Sequence, residues 1–249
     1  MINYMKITII TVCFNSEKTI RKTIESVLNQ DYNNIEYIIV DGGSNDDTLN
    51  IIKEFSGIAK IISEKDNGIY DAINKGILLA TGDIIGILNS DDVLNDLNTI
   101  SDVATRFINN QSLDAVIGDI IFLNEKGKTY RHYSSKGWTP NKLEWGLMPP
   151  HPTFYCKRQN YIKYGLYSLE FKIASDYELL IRFLLVNKIR YEYIPKILVK
   201  MSLGGISTKN FLSNLKINNE VLRACKINNV NSNIFKLYTK YIFKLKELF

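Results

Sequence analysis

The chain has 249 residues, 45% of them hydrophobic and 23% charged, with a formal net charge of +5. That suffices for one globular domain with a sizeable core, and the charge is too small to point to a nucleic acid. Two histidines (His132, His151) and three widely spaced cysteines (Cys13, Cys156, Cys225) exclude a histidine-rich zinc centre and a disulfide framework, and fit a reduced cytosolic protein.

At the N-terminus, 1–15 carries an apolar run from Ile7 to Phe14 without the basic region or cleavage site of a signal peptide. No stretch reaches the ~18–20 apolar residues that span a bilayer, so a cytoplasmic protein is expected, attached to a membrane at most by its surface. Residues 6–12 read as a first strand and 17–28 as a helix capped by Ser16. A second strand is expected over 35–40, a helix over 46–55, a short strand over 60–63, an amphipathic helix over 69–80 and a fourth strand over 84–88. Strands alternating with helices predict an α/β doubly wound, mostly parallel sheet. Past Asn95 the rhythm changes. A helix over 97–109 and an apolar run over 115–123 precede an aromatic, loop-rich stretch, 130–155, holding both tryptophans and four of the five prolines. A helix is expected over 176–186. The division expected is a nucleotide half, 1–95, an acceptor half, 96–208, and a helical tail, 209–249.

Two acidic loops stand out: DGGSNDDT (41–48) and NSDD (89–92). Each follows an apolar run that reads as a buried parallel strand. Ligands of open α/β sheets bind outside the carboxyl ends of the strands, so both loops belong on one rim. Separated carboxylates repel bare phosphate and suit a phosphate that arrives with a divalent cation. No G-x-G-x-x-G follows the first strand, which argues against a dinucleotide-binding dehydrogenase. The loop after it, Cys13–Glu17, has no glycine, unlike the Gly-rich loop of a sugar nucleotidyltransferase.

Several motifs together carry a likeness. TVCFNSE (11–17), the DGGSNDDT loop and SEKDNGIYDAINKGILLATGDIIGILNSDDVL (63–94) resemble, in order and spacing, inverting glycosyltransferase family 2. PHPTFY (150–155), ASDYELLIRF (174–183) and GGIS (204–207) resemble its branch that builds bacterial surface polysaccharides (O-antigen, capsule and colanic-acid-like). The resemblance implies the GT-A fold, a UDP-sugar donor, Mn²⁺ or Mg²⁺, and inversion at the anomeric carbon. It also implies an acceptor held on a polyprenyl diphosphate at the inner-membrane face.

Carried onto this sequence, the family pattern gives Asp41 the base ring N–H. Thr11 and Asn15 flank base and ribose, and Asp66, with Asn67, lies near the nucleoside. Asn74 falls on the donor side. Asn89 stands where the family's D-x-D motif has its first acid, so the metal passes to Asp91, with Asp92 as auxiliary through water or by orienting the loop. Asp176 becomes the general base, with Glu178 behind it. His151 and Trp145 are acceptor candidates. Each has a plainer reading: turns for Asp41 and Thr11, helix caps for Asp66 and Asp176, core or subdomain packing for the tryptophans. Asp46 and Asp47 read as structural, and Lys75 as a solvated lysine. Gly204–Ser207 reads as a turn or a diphosphate nest. In 231–249, apolar residues recur at helical spacing while Lys236, Lys240 and Lys244 form another stripe. Such a helix either lies on an anionic membrane or packs on its own domain. The expectation is a metal-dependent hexosyltransferase; the non-enzymatic alternative is a degenerate homologue that binds a nucleotide sugar.

Overall fold

The computed structural model describes residues 5–124, 126–202 and 211–245. Four parallel strands open the fold: β1 (Ile7–Cys13), β2 (Ile35–Asp41), β3 (Lys60–Ser63) and β4 (Ile84–Ile87), in the order β3-β2-β1-β4. Helices α1 (Ile20–Leu28), α2 (Thr48–Lys53) and α3 (Ile69–Leu79) make the crossovers. Ile10, Val12, Ile38 and Val40 pack with Ile73 and Ile77 of α3 on one face. Ile7, Ile9, Tyr37 and Ile39 pack with Ile20, Ile24 and Val27 of α1 on the other. Burial on both faces is why these strands read as unbroken apolar runs.

The second half widens the same sheet. It comprises β5 (Asp92–Leu94), α4 (Thr99–Asn109), β6 (Ala115–Leu123), β7 (Thr129–Tyr133), β8 (Tyr155–Lys157), α5 (Arg158–Tyr164), α6 (Ser175–Leu180) and β9 (Tyr191–Ser202), with α6 running on as a π-helical turn over Ile181–Val186. The full order is β3-β2-β1-β4-β8-β6-β9-β5, with β7 on β6. β8 is antiparallel to β4 and β6, and β9 is parallel to β6 but antiparallel to β5. The sheet is therefore continuous across residue 95, where only the connectivity changes.

Differences from expectation have local causes. α1 starts at Ile20 because 16–19 form a turn, with the Thr19 and Ile20 amides both 3.0 Å from the Ser16 carbonyl. The Ser16 hydroxyl contacts Ser90 instead of capping the helix. The 12-residue β9 went unforeseen, and Pro195 lies within it. The sheet absorbs the missing N–H at a bulge: Tyr193 faces Ile117 but Ile197 faces Asp119, so 194–196 stand opposite Gly118 alone.

The tail forms α7 (Phe211–Ile227) and α8 (Ile234–Leu245). α8 is docked: Leu237 is buried, Lys236 Nζ lies 2.9 Å from Glu144 Oε2 and 5.4 Å from the Trp145 ring centre, and Ser232 Oγ donates to the Glu144 carbonyl at 2.6 Å. Ile234, Phe235 and Tyr238 face outward. Among the described residues no helix is long and apolar enough to cross a membrane. Gly204–Ser207 lies outside the described residues.

Candidate active site

Strand register sets the rim. Cys13, Asp41 and Ser63 are aligned across β1, β2 and β3. Asp41 is fully buried and accepts from the Ser44 amide at 3.1 Å, from the Ser44 hydroxyl, and from Ser63 Oγ at 2.7 Å. It thus ties the loops after β2 and β3 together. Asn15 sits at φ 49°, a left-handed conformation that asparagine tolerates. Its Oδ1 accepts from the Asn45 amide at 2.9 Å, and its own N–H donates to Ser44 Oγ at 2.8 Å. A Cβ added to Gly42 would overlap Asp66 Oδ2, so that glycine lets the Asp66 carboxylate lie against the end of β2. Asp66 Oδ1 accepts from the Gly68 amide at 2.8 Å, just ahead of α3. Asn15, Asp41 and Asp66 therefore meet at one corner. Burial, then the charges of Asp41, Asp46 and Asp66, push the Cys13 thiol far up its range.

The second acidic loop ends β4 on the same rim. The Asp92 N–H donates to the Asn89 carbonyl at 3.1 Å, and Asn89 Nδ2 donates to Asp92 Oδ2 at 3.3 Å. Thr23 Oγ1 donates to the Ser90 and Asp92 carbonyls, and Ser202 Oγ to the Asp91 carbonyl. Asp92 is 1% exposed, turned inward and spent on Asn89. Of the two auxiliary roles expected for Asp92, through water or by orienting the loop, this contact fits the second. Asp91 is half-buried, and burial raises its carboxyl. Burial and the Asp91 charge hold Asp92 higher still. Among the described residues no lysine or arginine pairs with Asp91, and no cluster of three or more acidic, cysteine or histidine ligands exists. One partly desolvated, uncompensated carboxylate fits Mg²⁺ or Mn²⁺, which take one or two protein carboxylates and complete their shell with phosphate oxygens and water.

Asp176 stands in the first turn of α6. Its Oδ1 accepts from the Tyr177 amide at 2.8 Å, and the Tyr70 hydroxyl, which donates mainly to the Ile173 carbonyl, lies 3.3 Å from the same oxygen. Tyr70 stacks on Tyr167 with ring centres 5.8 Å apart, and the Tyr167 hydroxyl lies 2.7 Å from His151 Nε2. Burial raises the Asp176 carboxyl, against the opposing influence of His151 and the hydrogen bonds. Burial lowers the His151 imidazole, with the Asp176 charge opposing. The site thus joins Asp176 and His151, as the sequence suggested, through Tyr70 and Tyr167, which it did not. Tyr70 lies on α3 and Tyr167 in the loop after α5, and no sequence signal says that their hydroxyls face a carboxylate and an imidazole.

Other expected residues have different work. Thr11 is fully buried, and its hydroxyl accepts from the Tyr37 hydroxyl at 3.0 Å within the core. Asn74 is buried, with Nδ2 2.8 Å from the Tyr167 carbonyl and Oδ1 3.0 Å from the Tyr167 amide; it pegs the base-side loop to α3. Asn67 donates its N–H to Asp71 at 3.0 Å, closing the start of α3. Lys75 is no free surface lysine: Glu64 at 2.8 Å and Asp71 at 3.5 Å neutralise it. Glu178 is buried against Arg182 at 2.9 Å and Asn228 at 3.2 Å, so its acceptor role is replaced by a structural one. Arg182 in turn donates to the Gly165 and Leu166 carbonyls. Trp138 is core, its indole donating to the Leu147 carbonyl at 3.0 Å. Trp145 is 40% exposed but lies under Lys236 of α8.

Comparison with known proteins places the chain in a family. A PGL/p-HBAD biosynthesis glycosyltransferase of Mycobacterium tuberculosis is 28% identical over 217 residues, 84% of this chain and 83% of that protein. Staphylococcus aureus TarS 1-349 in complex with UDP-GlcNAc superposes with a TM-score of 0.73 at 21% identity, over 92% of this chain and 68% of that one. The mannosyltransferase PcManGT of Pyrobaculum calidifontis, in complex with GDP-Man and Mn²⁺, gives 0.64 at 13% identity, over 98% and 81%. The fold is thus that of GT-A glycosyltransferases. The model of the glycosyl transferase family 2 matches residues 8–172, the span that builds both acidic rim loops, and the chain belongs to that family.

Proposed function

We propose that the protein is an inverting glycosyltransferase that moves a hexose from a UDP-sugar to a hydroxyl of a lipid-linked saccharide in bacterial surface-polysaccharide synthesis. The observation that carries this reading is a division of labour among carboxylates. Asp41 and Asp66 are spent on the nucleoside corner, whereas Asp91 and Asp176 are desolvated and lack a lysine or arginine partner among the described residues. Asp91 would hold Mg²⁺ or Mn²⁺, which when bound offsets charge on the departing diphosphate.

Asp176 accepts the proton of the attacking hydroxyl. An alcohol is far less acidic than a carboxyl, so transfer accompanies attack, and a raised carboxyl is the better base. The Tyr177 amide holds the carboxylate, with the Tyr70 hydroxyl beside it; His151, held neutral by burial, is joined to the Tyr167 hydroxyl. One displacement turns an α-linked donor into a β-linked product. Phe235 and Tyr238 on the outer side of α8, with Lys240, Lys244 and Lys246 of the sequence, suit a peripheral position on an anionic cytoplasmic membrane face. The polyprenyl-diphosphate acceptor rests on the family resemblance.

A donor screen tests the proposal. Purified protein with Mn²⁺ is given UDP-, GDP- and dTDP-sugars, and nucleotide release is followed with and without diphospho-lipid acceptors. EDTA-sensitive release from a UDP-sugar supports it. Failure to bind any uridine nucleotide sinks it. Binding without release on every acceptor favours the degenerate homologue, whose one supporting feature is Asn89 in the metal motif.

A further inference from the structure

A second polar cluster lies outside the base and donor corners. Val93, Lys200, Ile121 and His132 are aligned across β5, β9, β6 and β7. Residues directly across a sheet share a face. Their neighbours Leu94, Val199, Ile120 and Tyr133 pack into the core that contains α1, so this row lies on the opposite face. That is the face whose core includes Tyr70, Tyr167 and Tyr177. Four strands ~4.8 Å apart make the row about 14 Å long.

At its outer end Asp119, two residues before Ile121 and so on the same face of β6, reaches His132, opposite the segment where β9 bulges. Asp119 is 5% exposed and accepts from Ser134 Oγ at 2.9 Å, the Ser135 amide at 2.8 Å and the Tyr193 hydroxyl at 3.0 Å, with His132 Nε2 at 3.1 Å. With Nε2 on Asp119, the other ring nitrogen of the half-exposed His132 is free to meet a ligand. A register shift between Phe122 and Leu123 leaves Tyr130 of the same strand, two residues before His132, as the extra residue of β7, 60% exposed. Bulges of this kind re-aim side chains next to sites. The cluster is tied to the segment that carries His151: Gly118, next to Asp119, exchanges hydrogen bonds with Thr153 at 3.0 and 3.2 Å, two residues beyond His151.

We propose that the β6–β7 hairpin is a second saccharide subsite. His132, oriented by Asp119, hydrogen-bonds a hydroxyl of the acceptor sugar adjacent to the one that receives the hexose, and Tyr130 meets the C–H face of that ring. A neutral polyol fits better than a phosphate. Asp119 stands behind the imidazole, Asp91 lies at the loop leading into β5, and the Lys200 ammonium is turned to the Asn95 carbonyl at 2.9 Å. The inference rests on the glycosyltransferase reading and adds where a longer acceptor is gripped.

The chain's two histidines make the test direct, since each labelled imidazole gives its own NMR signal. The full-length protein, with Mg²⁺ and saturating UDP, is titrated with methyl glycosides of mono-, di- and trisaccharides of glucose, galactose and N-acetylglucosamine. The expected result is a shift of the His132 ring by di- or trisaccharides and not by monosaccharides. Tyr130→Ala should weaken that binding at least tenfold. Asp119→Asn should abolish the His132 response while leaving the response to UDP intact. The subsite is overturned if saccharides move His151 alone, if none moves His132 while UDP still binds, or if Asp119→Asn lowers Tm yet leaves the His132 shift unchanged. Loss of the UDP response in the wild-type protein would instead count against the donor reading.

Discussion

Glu36 offers the most quantitative test, because it sets the register on which the rim depends. It lies at the end of the sheet opposite the site and is 5% exposed. Thr8 Oγ1, the Thr81 amide and the Thr81 hydroxyl each lie 2.7 Å from its carboxylate, and Lys6 Nζ lies at 3.4 Å. These contacts bind β1, β2 and the turn before β4 together. Burial alone would raise the carboxyl; the Thr81 and Thr8 hydrogen bonds and the Lys6 charge overcome it and lower it from 4.5 to about 2. At ~1.36 kcal/mol per pH unit, this favours the folded, ionised form by about 3 kcal/mol. Because the folded value is depressed, the contribution is present above pH 4.5 and is lost as pH falls towards 2. Glu36→Gln keeps one acceptor and loses the charge, so urea unfolding at pH 7 should show about 2–3 kcal/mol of destabilisation. The gap to wild type should narrow steadily between pH 4.5 and pH 2. A loss below 1 kcal/mol at pH 7, or a gap independent of pH, would refute the reasoning.

The remaining predictions concern the site. Asp176→Asn should lower turnover by ~10²–10⁴ while leaving the UDP dissociation constant near wild type; near-normal turnover removes the base assignment. The Asp176 carboxyl is raised by burial, so kcat should rise with pH along an acid limb lying above the usual aspartate value. Tyr70→Phe deletes a hydrogen bond that opposes the rise and should move that limb further up; a limb that moves down contradicts the contact. Gly42→Ala forces Asp66 away from β2 and should raise the donor KM with little change in Tm, read by steady-state kinetics and thermal melts. Asn74→Ala unpairs the buried Tyr167 amide and carbonyl and should cost about 2–3 kcal/mol; a donor KM raised tenfold at wild-type stability would restore the donor role to Asn74.

β1, β2 and β4 were legible because burial on both faces leaves continuous apolar runs, and the helices that follow them keep a 3.6-residue period; β3, a half-exposed edge strand, was legible only from its place between two helices. β5, β7 and β8 have only three to five residues, too few to show a period, and Pro195 disguised β9. Position after a strand foretold that the Asp41 and Asp91 loops would share one rim, whereas Asp66 and Asp176 were singled out by the family resemblance alone. It could not say which carboxylates the fold neutralises. Asp92 and Glu178 are acidic and near the motifs, yet Asn89 and Arg182 occupy them. Asn74 looks like a polar residue free on a helix until Tyr167, far off in the chain, is brought against it. Tyr70 escaped notice because a helix period marks it only as inward-facing, and Tyr167 because it lies in a loop, where no period exists.

The central claim is one displacement, assisted by one base. Its most direct test is the anomeric configuration of the transferred sugar, read from the ¹H coupling of the product formed from an α-linked UDP-hexose on whichever acceptor turns over. A β-linked product, lost together with turnover in Asp176→Asn, is the predicted result. An α-linked product, or a β-linked one formed equally fast without Asp176, contradicts the account.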